Sequence, residues 1–95
     1  MKESDIQGKV IEFVEAQGGY VIKIVSASKA GKADLIVCYR GKFVAIEMKK
    51  PGEDPEPLQI YNRKKVKKAG GVSIIARSVD DVKSLFNKLG GHLDD

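Results

Sequence analysis

"DLIVCYRGKFVAIEMK", residues 34–49, holds two apolar runs separated only by Arg40, Gly41 and Lys42. So short a spacer predicts a tight antiparallel hairpin, with Gly41 supplying the positive φ that the turn requires. Side chains alternate along a strand, so Phe43, Ala45, Glu47 and Lys49 share one face and Val44, Ile46 and Met48 the other. A glutamate therefore stands inside the most apolar segment of the chain, with a lysine as its neighbour. Asp34 opens the preceding strand, and antiparallel pairing brings that beginning beside the end that carries Glu47 and Lys49. Two carboxylates and an ammonium are expected to converge at one end of a sheet.

Working outward, Ile6, Val10, Phe13 and Val14 recur at helical spacing over residues 4–17, and Gly18-Gly19 supplies a stop. Residues 20–25, "YVIKIV", read as a strand and residues 26–32, "SASKAGK", as a polar loop. Residues 51–57, "PGEDPEP", exclude helix and central strand, while Pro57 is suited to open a helix over residues 58–69, ended by Gly70-Gly71. "VSIIA", residues 72–76, is a fourth strand. Ser78 with Asp81 resembles a capping box for a last helix that buries Val82, Leu85, Phe86 and Leu89. The tail, residues 90–95, is expected to fray. The order αβββαβα gives an α/β fold: an antiparallel meander, then a helical crossover to a strand parallel to the third, in a mixed sheet flanked by helices.

Ninety-five residues make one domain with a modest core. The formal charge of +4 is small, yet five of the seventeen basic residues fall in residues 63–68. Cys38 is the single cysteine and sits in an apolar run, which reads as core packing in a chain of the reducing cytoplasm. The N-terminal stretch has no apolar signal region and no apolar run is of membrane length, so neither secretion nor membrane insertion is expected.

Glu47 and Lys49 alone read as a surface ion pair on an edge strand. Asp34 in hairpin register changes that reading, because burying two carboxylates costs several kcal/mol, roughly, unless a cation neutralises them. Mg²⁺ takes oxygen ligands and keeps several waters, so one or two carboxylates and a backbone carbonyl make a suitable partial cage. A metal held this way stabilises charge on a phosphoryl oxygen and acidifies water, with a lysine beside it, which is phosphodiester hydrolysis chemistry. His92 has no Cys or second His nearby and is read as tail, which argues against zinc. Glu53, Asp54 and Glu56 read as a solvated acidic loop, and Tyr20, Tyr39 and Tyr61 as packing residues.

Asp34 followed by Glu47-Met48-Lys49 resembles the PD-(D/E)xK nuclease signature in its minimal D...ExK form. More narrowly, "KESDIQ", "GKADLIV", "AIEMKKPGE", "PLQ" and "AGGVSIIARSVDDV", in that order and spanning nearly the whole chain, are similar to the virus-type replication-repair nuclease (VRR-NUC) family. Ala33 departs from the family, which usually has proline before the aspartate. The resemblance implies a restriction-endonuclease-like core and a Mg²⁺- or Mn²⁺-dependent endodeoxyribonuclease. Asp34 and Glu47 would bind metal, the Met48 carbonyl would complete the shell, and Lys49 would handle the attacking water. Glu3 and Gln59 match two further family positions. If the first helix starts at Glu3, that residue projects toward the core side; if Ser4 and Gln7 form a capping box, Glu3 lies outside the helix. Relatives without appended domains act on branched DNA such as four-way junctions, and no small-molecule cofactor is implied.

On a helical wheel Arg63, Lys64 and Lys67 occupy one arc of the second helix, with Leu58, Tyr61, Val66 and Ala69 mostly on another. That arc, with Lys29 and Lys32 in the loop before Asp34, is suited to gripping DNA phosphates without reading sequence. A junction offers two strands to one site per chain, so a homodimer is expected. The competing reading is a non-catalytic nucleic-acid-binding module that uses the basic helix over residues 58–69 and leaves the acids structural.

Overall fold

The computed structural model describes residues 3–25 and 31–90. Their order is α1 (Glu3–Ala16), β1 (Tyr20–Lys23), β2 (Leu35–Tyr39), β3 (Lys42–Met48), α2 (Pro57–Lys68), β4 (Val72–Ala76) and α3 (Val79–Lys88), the αβββαβα succession expected from the sequence. The strands form one sheet in the order β1-β2-β3-β4, antiparallel across the first two pairs and parallel between β3 and β4. A turn of only Arg40 and Gly41 joins β2 to β3, and both have positive φ, 53° and 80°. That is the demand of a type I′ hairpin turn, whose twist matches the strands it joins. The turn fixes the register: Tyr39 pairs with Lys42, Val37 with Val44 and Leu35 with Ile46.

Alternation then sorts the side chains. Leu35, Val37, Tyr39, Val44, Ile46 and Met48 are buried on one face, where Val10 and Val14 of α1 and Val82 and Phe86 of α3 close over them. The Phe86 ring stacks on Tyr39 with centroids 4.2 Å apart and meets Phe13 at 5.4 Å. Each aliphatic or aromatic side chain removed from water here contributes about 1.5–3 kcal/mol, so this layer carries most of the fold's stability. Among the described helices, α2 alone packs on the opposite face, and it has no fully buried residue.

Several local expectations are corrected. Strand β1 stops at Lys23, although the Ile24 amide still donates to the Asp34 carbonyl at 2.9 Å. Ser4 lies inside α1, so it does not cap that helix and Glu3 is its first residue. Cys38 is exposed, not core, because alternation turns it away from the face of Val37 and Tyr39. Leu85 and Leu89 are only partly buried. Asp81's amide donates to the Ser78 hydroxyl as a cap should, but its carboxylate accepts from Arg77's amide, one residue before the cap. The fraying tail falls on residues 91–95, outside the described residues. Among the described residues no helix is long and apolar enough to cross a membrane.

Candidate metal centre

Asp34 and Glu47 stand one step beyond Leu35 and Ile46, the last paired residues of the hairpin, and each is only 5% exposed. Asp34 is spliced into both neighbouring strands. Its carbonyl accepts from Ile24 at 2.9 Å, and its amide reaches the Ile46 carbonyl at 3.0 Å. The register pairs Ile46 with Leu35, so two residues of the β2 segment address one of β3, as in a bulge. This irregularity aims the Asp34 side chain at β3, where Oδ2 accepts the Met48 amide at 2.7 Å in a buried bond. The carboxylate thus docks on the middle residue of the Glu47-Met48-Lys49 tripeptide. A hydrogen bond to a charged group contributes about 1.5–3 kcal/mol, enough to hold the acid in place in the folded chain.

Glu47 emerges on the α2 side of β3, sharing its face with Phe43 and Ala45 as alternation requires, and all three line a cavity of about 160 Å³ between the sheet and α2. Gln59 reaches across that cavity. Its Nε2 donates to Glu47 Oε2 at 2.8 Å, and its Oε1 accepts the Glu56 amide at 2.7 Å. Glu56 is the N-cap of α2, so one side chain both satisfies the helix start and orients a candidate ligand. Gly31, with φ 72°, lets the loop before Asp34 press against α2, where a Cβ would overlap Leu58 and Asn62.

The donor set suits a hard cation. It comprises two carboxylates and the nearby backbone of Met48, whose own side chain is buried in the core, so only its carbonyl is available as a ligand. Two carboxylates and a carbonyl are oxygen donors of the kind Mg²⁺ or Mn²⁺ takes while keeping several waters. Lys49 is half-buried, its amide bonded to the Ala76 carbonyl at 3.0 Å, which fixes the strand end from which its ammonium extends.

The other residues singled out in the sequence divide. Lys32 lines the cavity with Glu47. Lys64 and Lys67 are exposed on α2. Arg63 does not share their arc, which corrects the wheel: its Nε donates to the Ser73 hydroxyl at 3.0 Å and an Nη to the Ser73 carbonyl at 3.3 Å. The inward stripe of α2 is Gln59, Asn62, Arg63 and Val66, while Leu58 and Tyr61 face out. The helix buries a polar stripe because what it packs over includes a glutamate and a serine, a reversal that apolar periodicity cannot reveal. Lys29 lies outside the described residues, as does the side chain of Glu3.

Two partnerships had no part in the sequence reading. Arg77 donates to the Glu53 carbonyl at 2.7 Å, and Glu53 closes a turn on Lys50, its carboxylate accepting the Lys50 amide at 3.1 Å. The acidic loop is thus partly structural. Arg77 follows Ala76 as Lys49 follows Met48 in the parallel register, so the two cations leave the same end of the sheet's paired strands.

No family model matches the chain. A curated phage protein, "Putative nuclease p44" of Acyrthosiphon pisum secondary endosymbiont phage 1, is 31% identical over 81 residues, 84% of this chain and 87% of that protein. A solved "VRR_NUC domain" superposes with a TM-score of 0.78 at 29% identity, covering 90% of this chain and 94% of that one. A second solved structure, a "VRR_NUC domain protein", shares the fold with a TM-score of 0.74 at 23% identity, over 93% of this chain and 87% of its own.

Proposed function

The chain belongs to the virus-type replication-repair nuclease (VRR-NUC) family, and we propose that it is a metal-dependent endodeoxyribonuclease that hydrolyses phosphodiester bonds in branched DNA such as four-way junctions. The observation that carries this reading is the buried 2.7 Å bond from the Met48 amide to Asp34, which sets one acid against the segment holding the other acid and the lysine.

Asp34, Glu47 and the Met48 carbonyl would hold Mg²⁺ or Mn²⁺, which when bound supplies Lewis acidity and neutralises charge at the phosphoryl oxygens. The residues do the rest. Gln59 keeps Glu47 turned toward the site by donating to one of its oxygens. Lys49 orients the attacking water and meets the negative charge that develops on phosphorus oxygens as the bond to the leaving oxygen breaks. Lys64, Lys67 and Lys32 draw in phosphates without reading bases. Glu3 and Lys29 complete the set of residues assigned to the site and its DNA contacts. Two symmetric cuts at a junction call for two copies, so the active species is a homodimer. Its setting is the cytoplasm of a bacterium or a phage-infected host.

The test presents purified protein with four-way, flap, duplex and single-stranded DNAs in Mg²⁺, Mn²⁺ or chelator. Cleavage confined to branched substrates and abolished by chelator is the expected result. DNA binding without cleavage under every condition, unaffected by Asp34→Ala, would replace the nuclease with a binding module.

A further inference from the structure

The sheet face beneath α2 is covered at β3 and β4 but bare toward β1. Tyr20, Cys38 and Phe43 are direct cross-strand partners on that face, one from each of β1, β2 and β3. Tyr20 is 69% exposed, Phe43 is 48% exposed, and Cys38 between them is exposed too. Two aromatic rings two strands apart are therefore presented to solvent, with only a small side chain separating them. Phe43 also lies in a groove of about 670 Å³ that runs between the hairpin and the end of α2, lined on the helix side by Lys65 and by no carboxylate. Outward from it, Lys65 sits 5.4 Å from the ring of Tyr61, itself 57% exposed.

This groove adjoins the cavity of Glu47, since Phe43, Asn62 and Val66 line both. Phe43 lies four residues before Glu47 on one strand, about 13 Å at the rise of an extended chain, a span of a few nucleotides. Cations along a groove with aromatic faces beside it are the recurring means of holding single strands: lysines follow the phosphates while rings stack on bases of any sequence.

We propose that the face formed by Tyr20 and Phe43, with the Lys65 groove, binds unpaired nucleotides such as those of a flap or of a junction opened at its crossover, and feeds the strand toward Glu47. The proposal rests on the nuclease reading and names the part of the substrate that this extension of the site recognises. A second copy of the chain is a poorer occupant, because a two-fold contact through this face brings the Lys65 side of α2 in one copy toward the same basic helix of the other.

Fluorescence anisotropy in chelator, with labelled oligothymidine and blunt duplex, tests it on the wild type, Tyr20→Ala, Phe43→Leu and Phe43→Trp. The first two substitutions are expected to weaken single-strand binding about five- to 150-fold, the range for losing one base–aromatic stack, while duplex binding stays within about twofold. Phe43→Trp should retain it. Thermal melts identify any variant that fails to fold, and Tyr20→Ala, at the sheet edge, stands in if Phe43→Leu does. Unchanged single-strand binding in both variants, or an equal loss on duplex, overturns the proposal. So does a shift from dimer to monomer in sedimentation without a change in binding, which would assign the face to self-association. Wild-type cleavage in Mg²⁺ or Mn²⁺ separates the two claims: a wild type that cleaves nothing, yet whose single-strand binding falls with Tyr20→Ala, sinks the nuclease reading alone.

Discussion

Gln59 Nε2 donates to Glu47 Oε2 at 2.8 Å while the same side chain accepts the amide that begins α2. A candidate metal ligand is thereby tied to the first turn of a helix. Gln59→Ala removes both bonds, and Gln59→Glu keeps an acceptor for the helix but replaces the donor with a third carboxylate. Both substitutions should lower cleavage about 10- to 100-fold, the usual cost of losing a ligand's supporting partner. Both should also lower the melting temperature by several degrees, Gln59→Ala through the lost cap at any pH, and Gln59→Glu through repulsion with Glu47 that eases as the pH is lowered and the carboxylates take up protons. Cleavage kinetics and thermal melts on the pair check this.

Asp34 serves the fold and the site with different properties. Its oxygen accepts from Met48, which an asparagine can also do, whereas the proposed cation requires its charge. Asp34→Asn should therefore fold with a near-native melting temperature and cleave nothing. Asp34→Ala strands a buried amide and should be about 1–3 kcal/mol less stable by denaturant titration. Equal stability of the two variants would mean that the hydrogen bond holds nothing in place.

Two acids at one strand end should make the folded chain bind divalent ions in the absence of DNA. At a hundredfold excess over its dissociation constant, a ligand of the native state adds about 2.7 kcal/mol. Mg²⁺ or Mn²⁺ should raise the melting temperature of the wild type and leave that of Glu47→Gln nearly unmoved. A wild type indifferent to both ions in calorimetry would contradict the metal assignment.

Lys64 and Lys67 are exposed, while Arg63, beside them in sequence, bonds Ser73. Replacing each lysine with glutamine should reduce the salt dependence of duplex binding by about one phosphate contact, roughly 0.9 in the log–log slope, without altering stability. Arg63→Gln should do the reverse, lowering the denaturation midpoint by loosening α2 from β4. Binding isotherms from 50 to 200 mM salt, paired with urea melts, distinguish them.

What the chain discloses unaided is what repeats along it. Strand alternation placed Phe43, Ala45 and Glu47 on one face, and a short spacer read as Arg40-Gly41-Lys42 brought Asp34 beside the end of the next strand, although Lys42 belongs to β3 and the turn is only two residues. The inward face of α2 was misread because its buried residues are Gln59, Asn62, Arg63 and Val66, selected by a polar floor supplied by β3 and β4. Likewise Cys38 and Tyr20 carry the composition of core residues, and only the incomplete cover of the sheet leaves them in water, while Tyr61 lies on the outward side of α2. The Arg77–Glu53 bond joins residues 24 apart and has no local signature at all.

The Arg40-Gly41 turn lies at the far end of the hairpin, about 20 Å of extended strand from Asp34. Yet it decides whether the acids meet, because strand geometry counts in twos. Lengthening the loop by a single residue without a compensating bulge would flip one strand's parity, sending Glu47 into the layer of Ile46 and bringing Ile46 out in its place. A remote connection with no chemistry of its own thus acts as the ruler by which the candidate site is spaced.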